Sequence, residues 1–411
     1  MEYKVYWCKV NKFYLNKRIT YLTENNQISD NIFLVATCVV TDRAKMKRVK
    51  EVTEKAKEGK DILIAGCWSI TWWKATPKED FFNYYPDLKP YEKRITLLSE
   101  DPLEGSELWF SFKMPWQKLR TKNYIIIQNG CDNHCSFCLT IFKRGPHRNR
   151  PLEEIIEEIH QIECLWGKEI VLTWINLAAW WTKDTRHSDN SKFNELLKTI
   201  IKETSVPRIR ISSLDPQYLN DEFFEIVSNQ RFCPHFHFSI QSFSDNVLKN
   251  MNRNYNNKQL DYVLNNIRNL NRPDKEYISI GADIITWFAW ETEHDFEITC
   301  EGIKKYNITK LHAFPFSDHH IAEKIPASSL PNQVPQEIRK LRNRKLIEIW
   351  DHIRDSFIEK NYWRKTKVLI EEIRNWKSKG WTDNYIQLSL PEEHKSWELV
   401  ETIITEDNCI F

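Results

Sequence analysis

The stretch "QNGCDNHCSFCLTIFKRGPHRNRP" places Cys131, Cys135 and Cys138 in a C-x₃-C-x₂-C run. Three thiolates at this spacing hold three irons of a 4Fe-4S cube and leave the fourth iron open to a chelating substrate or cofactor. Zinc is the rival chemistry, but it favours paired C-x₂₋₄-C elements completed by a fourth ligand; His134 and His147 are the candidates to supply one. A second set, Cys8, Cys38 and Cys67, is spaced by 30 and 29 residues, and each member follows a short apolar stretch. If those stretches are strands of one parallel sheet, the three thiols gather at its carboxyl edge, where such sheets bind ligands. Read without further context, three unrelated buried cysteines account for the same spacing, because free Cys is often buried. Cys164, Cys233, Cys300 and Cys409 fit neither set and read as packing residues.

The totals bound what these residues can serve. The chain has 411 residues, 41% hydrophobic and 28% charged, which is the profile of a soluble globular protein of two or three domains. No apolar run of about 18 residues suggests a membrane span. The start "MEYKVYWCKV" lacks a basic region followed by an apolar core, so a cytoplasmic location is expected. Ten cysteines in that reducing setting point to metal or catalytic use for those that cluster. A net charge of +2 neither demands nor excludes nucleic acid, so any such partner must be met by local patches. Lys143, Arg144, Arg148 and Arg150 form one beside the cysteine run, able to meet phosphates; a solvated charged loop is the alternative.

Three kinds of element must position these groups. In the first 70 residues, Tyr3 to Trp7, Asn31 to Thr37 and Asp61 to Gly66 read as strands. A helix over "TDRAKMKRVKEVTEKAKEGK" separates the last two and stops at Gly59, so a small parallel α/β sheet is expected. Residues 71–115 carry five prolines and no sustained period, which suggests a connection. From about residue 120 to 318, "NYIIIQ", "EIVLTW", "PRIRISS", "HFHFSI", "YISIGADIIT" and "TKLHAFP" alternate with helical patterns. The first helix opens at Pro151 with acids in its first turn, and Ile155, Ile156, Ile159 and Ile162 recur at helical spacing. Six βα units predict a parallel sheet curled toward a barrel, short of eight strands. Basic residues crowd "RKLRNRK" from Arg339 to Lys345, and the last 50 residues turn β-like, as a small barrel would. The expected domains are 1–115, with an auxiliary site and linker, then 116–350 and 361–411.

A C-x₃-C-x₂-C run after the first strand of a partial (βα)₆ barrel resembles the radical S-adenosylmethionine (SAM) superfamily. More narrowly, "RGPHRNRPLEEI", "CPHFHFSIQS", "DNVLKNMNRNY" and "ADIIT-x-F-x-x-ETEHDF" are similar to the methylthiotransferases, over nearly the whole chain. "CKVN", "ATCVVTDRAK", "LT-x-INL" and "RISSLDP" are most similar to the MtaB-like branch, which adds a methylthio group to threonylcarbamoyladenosine beside the tRNA anticodon. The resemblance implies SAM on the open iron of the Cys131, Cys135 and Cys138 cluster. It also implies a second 4Fe-4S cluster on Cys8, Cys38 and Cys67, where sulfur is held for transfer. SAM cleavage would give a 5′-deoxyadenosyl radical that takes hydrogen from carbon 2 of the adenine, and another SAM would methylate the sulfur. An electron donor, a sulfur source and tRNA are the implied partners. Asn176, Gln241 and Asp283, at or near strand ends, are candidate contacts to SAM, with ordinary strand-end polarity as the alternative. The tail resembles the TRAM module, an RNA-binding barrel, with Arg364, Lys365, Lys367 and Tyr385 as candidate RNA contacts. Isopentenyl-type adenosine and a ribosomal-protein aspartate are the alternative substrates.

The chain departs from the pattern in two ways. "QSFS" has Phe243 for a glycine, and "FPFSDHHIAEKIP" lacks the usual Ser-x-Arg-x-Gly-Thr run, which puts substrate contacts near His319 and His320 in doubt. Separately, Trp7, Trp174, Trp287, Trp290, Trp363 and Trp397 stand where the family has glycine. The whole chain has nine glycines and seventeen tryptophans, against an average glycine usage of about 7%. One substituting type at so many glycine positions predicts a decoding difference: the source reads UGA as glycine, and the printed sequence writes it as tryptophan. Trp68, beside Cys67, is a candidate for a genuine tryptophan. If all are genuine, overpacking of the turn at Trp287 and Trp290 favours a non-catalytic iron-sulfur RNA-binding protein.

Overall fold

Apolar runs flanked by amphipathic helices set the architecture of the computed structural model. It describes residues 1–5, 9–37, 39, 41–99, 121–173, 175–182, 190–317, 319, 325–331, 334–374 and 376–410. Cys8, Cys38, Trp7, Trp174 and His320 lie outside the described residues. The chain forms two compact units.

The first unit comprises Met1–Pro115, Gln128–Arg150 and Ser317–Leu330. It begins with β1 (Glu2–Val5), α1 (Lys9–Glu24), β2 (Ile32–Ala36), α2 (Asp42–Lys57) and β3 (Asp61–Ala65). The Thr41 side chain caps α2 by accepting the Ala44 N–H at 3.2 Å, and Gly59, at φ +85°, ends it. A hairpin of β4 (Ile70–Thr71) and β5 (Lys74–Ala75) follows, then α3 (Lys78–Tyr84) and β6 (Ile95–Leu97). The sheet is parallel with order β1-β2-β3-β6. Its fourth strand thus comes from the stretch expected to be only a connection. Leu15, Leu22, Leu34, Ala36 and Ala65 form one core cluster against it, and Phe33, Val35, Ile62 and Ile64 of its strands are buried as well.

The second unit comprises Trp116–Ile127, Pro151–Phe316 and Pro331–Phe411. It starts with β7 (Asn123–Ile126), after which the chain crosses to the first unit for β8 (Gln128–Asn129), α4 (Thr140–Arg144) and β9 (Arg148–Asn149). It resumes with α5 (Leu152–Cys164), β10 (Glu169–Thr173), α6 (Ser191–Glu203), β11 (Arg208–Ile211) and α7 (Asp221–Val227). Next come β12 (His235–Gln241), α8 (Asp245–Asn250), α9 (Asn257–Arg268), β13 (Ser279–Thr286), α10 (Glu293–Lys305), β14 (Ile308–Pro315) and α11 (Gln336–Lys360). Strands β7, β10 and β11 pair in parallel, as do β12, β13 and β14, and a parallel bridge from Leu214 to Phe238 joins the halves. These are the six strands expected, in sequence order. Along β12, Phe236, Phe238 and Ile240 are buried, which turns His235, His237 and Ser239 to the other face.

The tail is an antiparallel sheet of β15 (Lys365–Arg374), β16 (Lys377–Thr382), β17 (Gln387–Leu390) and β18 (Leu399–Ile403), in the order β17-β16-β15-β18. Val368, Ile370, Ile386, Leu388, Leu390 and Ile404 pack against Phe357 and Ile358 of α11. Ions anchor this sheet to the barrel strands. Glu169 receives Arg208 Nε at 2.9 Å and Arg210 Nε at 3.0 Å, with all three side chains buried. The two guanidinium groups then donate to the Trp381 carbonyl at 3.2 Å and the Thr382 carbonyl at 2.8 Å. Among the described residues no helix is long and apolar enough to cross a membrane.

The backbone explains the tryptophans in conformational terms. Among the described residues nine of them, Trp72, Trp73, Trp166, Trp181, Trp287, Trp290, Trp363, Trp376 and Trp397, sit at φ between +51° and +74°. Bulky residues are outliers there, because Cβ crowds the backbone. Trp166 shows why the position matters: its N–H reaches the Glu163 carbonyl and that of Gly167 the Ile162 carbonyl, which is the Schellman end of α5. The corresponding positions after α1, α2, α8 and α10 hold Asn26, Gly59, Asn252 and Asn307, residues that tolerate the left-handed region. Trp72 and Trp73 fill a two-residue hairpin loop with both φ positive, a type I′ feature that calls for Asn-Gly or Gly-Gly.

Candidate functional site

In the first unit, β8 pairs antiparallel with β9 and closes the base of the cysteine loop. Gly130, at φ +81°, has no room for a side chain: a Cβ would lie 1.8 Å from the Pro146 carbonyl oxygen. Cys131 donates its N–H to the Gly145 carbonyl at 3.2 Å, and Cys138 donates to that of Cys135 at 3.1 Å. Thr140, at the start of α4, donates its N–H to the Cys138 sulfur at 3.3 Å, a bond that suits a thiolate on a cluster. All three thiols are partly exposed.

The donor set fits a 4Fe-4S cube better than one zinc ion. His147 is already committed: its Nε2 meets Asn149 Oδ1 at 2.8 Å, and Gln128 engages Nδ1. Burial lowers its pKa. Among the described residues, the three thiols are also not a group whose ligand atoms close to within 4.8 Å, as a single ion needs. Cys67 lies on the turn Gly66–Trp68 directly after β3, at the carboxyl edge of the N-terminal sheet. His319 meets Lys45 Nζ at 3.2 Å.

In the second unit, polar groups gather toward the carboxyl ends of the barrel strands, where such barrels bind ligands. Asn176, just past β10, is buried; its Nδ2 lies 3.4 Å from the Tyr218 hydroxyl, and its Oδ1 has no hydrogen-bond partner among the described residues. Gln241 ends β12 buried at φ +68°, a strained position of the kind found at ligand sites. Asp283, on β13, accepts from His237 Nε2 at 2.9 Å and from His312 Nδ1 at 3.2 Å. Burial pushes its carboxyl up, but the two imidazoles outweigh this and hold it well below the usual carboxylate range. After β13 the turn is tied by the Trp287 N–H on Glu291 Oε2 at 2.7 Å and by Arg342 Nη1 on the same carboxylate at 3.0 Å. Burial raises the Glu291 carboxyl to about 7.

Part of the basic loop is drawn inward. Lys143, Arg144 and Arg150 are buried, and Arg144 Nη2 reaches Asn11 Oδ1 at 3.0 Å, so these three are not a solvated charged loop. Arg148 is partly buried and lies over the Trp73 ring. Tyr385 is half-buried, its ring stacked on His235 at 4.3 Å with Arg210 and Lys122 against it. Arg364 donates to the Lys275 carbonyl, whereas Lys365 and Lys367 on β15 are exposed. His237 and His312 carry no motif that marks them as site residues. Alternation in "HFHFSIQ" puts the first on the face of His235, and nothing local sets the second apart.

A barrel of parallel strands with a three-thiol loop after the first is the arrangement of a radical SAM protein, and residues 125–302 match the family model for the Radical SAM superfamily. Three relatives extend the match along the chain. A threonylcarbamoyladenosine tRNA methylthiotransferase MtaB of Thermotoga maritima is 32% identical, covering 82% of this chain and 78% of its own. That of Rickettsia prowazekii is 29% identical, covering 88% and 85%. A tRNA-2-methylthio-N(6)-dimethylallyladenosine synthase of Campylobacter jejuni is 30% identical, covering 88% and 84%. The chain belongs to the radical SAM methylthiotransferase family and is an enzyme of that kind, with SAM and a 4Fe-4S cluster as cofactors.

Proposed function

We propose that this enzyme adds a methylthio group to carbon 2 of N6-threonylcarbamoyladenosine at position 37 of tRNA, next to the anticodon. The observation that carries the reading is its match, at 32% identity, to a relative named for that nucleoside. In this reading Cys131, Cys135 and Cys138 hold the SAM-binding cluster, and Cys8, Cys38 and Cys67 hold a second 4Fe-4S cluster. When bound, SAM and the clusters supply a carbon-centred radical and the sulfur to be transferred. The chain's own residues position and enclose. Asn176 offers its unpartnered buried oxygen to a polar atom of SAM, and Gln241 offers a side chain aimed by its strained backbone. The C-terminal sheet acts as a TRAM-like RNA contact, with Lys365 and Lys367 toward phosphate. The protein works in the cytoplasm with an electron donor and a sulfur source.

The test is anaerobic reconstitution with SAM, dithionite and tRNA carrying threonylcarbamoyladenosine. Release of 5′-deoxyadenosine together with the 2-methylthio nucleoside is expected. A chain that releases no 5′-deoxyadenosine is instead an iron-sulfur RNA-binding protein, the reading favoured if the tryptophans at the β13 turn are genuine. The isopentenyl reading is favoured by the Campylobacter relative. Mass analysis of tRNA nucleosides after gene deletion separates it, because a different 2-methylthio nucleoside disappears. Unaltered tRNA in that strain points to the ribosomal-protein substrate.

A further inference from the structure

Three side chains that the sequence keeps far apart meet inside the barrel. His237 on β12, Asp283 on β13 and His312 on β14 present ligand atoms within 4.8 Å of one another. Gly281 makes the arrangement possible. It pairs with His237 across the strands, and a Cβ on it would lie 2.3 Å from His237 Nδ1. The imidazole therefore leans over a bare backbone and reaches Asp283. His312, opposite Asp283 in register, approaches the same Oδ1 from the other strand. With one oxygen of Asp283 gripped twice, its second oxygen and His312 Nε2 are left with no hydrogen-bond partner among the described residues. His312 is half exposed, and Phe314, two residues nearer the carboxyl end of β14, stands exposed with its ring 6.2 Å from it. A ligand entering from the carboxyl ends passes Phe314 and then meets these two open polar groups.

We propose that Asp283, together with His312, binds the N6-substituent of the target adenine rather than SAM, with His237 and Gly281 as positioning residues that fix the Asp283 carboxylate; this rests on the threonylcarbamoyladenosine reading. That substituent carries urea-type N–H groups, a hydroxyl and a carboxylate. The free oxygen of Asp283 accepts from an N–H or the hydroxyl, and His312 Nε2 faces the hydroxyl or carboxylate. An isopentenyl group would strip water from a carboxylate and an imidazole and return no hydrogen bond. Sites built around such bonds reject analogues lacking them by about 10⁴-fold. The pair thereby sets substrate choice as well as affinity.

The experiment compares anticodon stem-loops carrying threonylcarbamoyladenosine or isopentenyladenosine, using the full reconstituted chain. His312→Phe should raise KM for the threonylcarbamoyl RNA about 100-fold, with a smaller effect on kcat, and erode the preference over isopentenyl RNA by a similar factor. His312→Asn, which keeps a donor and an acceptor, should recover much of that preference. Gly281→Ala, which pushes His237 off Asp283, should raise KM about tenfold without altering either contacting group. If His312→Phe leaves KM and preference within about twofold of the parent, the proposal is overturned while the threonylcarbamoyl reading stands. A parent that modifies only isopentenyl RNA overturns both. Uptake of one equivalent of added Mn²⁺ or Zn²⁺ by the parent, lost in Asp283→Asn, assigns the three groups to a cation and overturns the proposal too.

Discussion

At the scale of single residues, the tryptophans and the cysteines carry testable chemistry. A left-handed conformation costs a non-glycine residue about 1–2 kcal/mol. Nine such tryptophans would together cost about as much as the whole net stability of an ordinary domain, some 5–15 kcal/mol. Trp287 adds a buried indole N–H with no hydrogen-bond partner among the described residues. Glycine at these positions removes both penalties, so peptides of the native protein should have the mass of glycine at all nine; UGG codons there would sink the idea. In the chain as written, Trp166→Gly and Trp376→Gly should each raise stability by about 1 kcal/mol in urea unfolding. The same change at Trp350, whose Nε1 donates to the Thr309 carbonyl at 2.9 Å, should lower it by about 3–5 kcal/mol. The thiols divide as sharply. Burial pushes those of Cys233 and Cys300 up to about 11, so at pH 8 almost none is thiolate. Iodoacetamide on the cluster-free folded chain at pH 8 should label the part-exposed Cys131, Cys135 and Cys138 and spare these two. Equal labelling would contradict their packing role.

At the scale of elements, helix α10 shows how one motif joins local and tertiary structure. Thr292 accepts the Asp295 N–H at 3.1 Å, and Asp295 accepts the Thr292 N–H at 2.9 Å, a reciprocal cap. Asp295 also receives the Ser244 hydroxyl, so the cap fixes the start of α8 against α10. Thr292→Ala should therefore cost about 1 kcal/mol, read as a lower thermal midpoint. The six barrel strands were legible because each is a short run holding β-branched or aromatic residues between helical periods. Gly59 was legible as a stop because its left-handed φ is what the end of α2 needs. Helix α1 was not, since "KVNKFYLNKRITYLTE" has no sustained apolar face. Strand β6, with three residues, offers no period to detect, and "KSKGWT" of β16 reads as polar turn. The cysteine run announced the candidate site, because its spacing is local. His237, Asp283 and His312 come from three strands, and only register brings them together. Charge in the loop at Lys143 and Arg144 was equally plain, but sequence carries no sign of which way a side chain turns.

At the scale of the whole second unit, the buried ions between the barrel strands and the C-terminal sheet decide how it unfolds. Glu169 is fully buried, and the arginines it neutralises are the groups that hold the carbonyls of Trp381 and Thr382. Burial pushes its carboxyl up, but Arg210, Arg208 and Lys122 outweigh that and hold it below the ordinary value of 4.5. The sign follows: the stabilisation is present above pH 4.5 and is lost only as pH falls through the depressed folded value. Removing one partner of a buried pair costs about 3–5 kcal/mol, because the remaining charges stay desolvated. At neutral pH, then, the amides of β15 to β17 and those of β10 to β13 should lose hydrogen-exchange protection at the same denaturant concentration, as one cooperative body. Glu169→Gln should split that transition and release the C-terminal sheet first, since Arg208 and Arg210 would then be buried without their carboxylate. Earlier release of the sheet in the unaltered chain would mean that apolar packing on Phe357 and Ile358, and not the ion network, sets the junction.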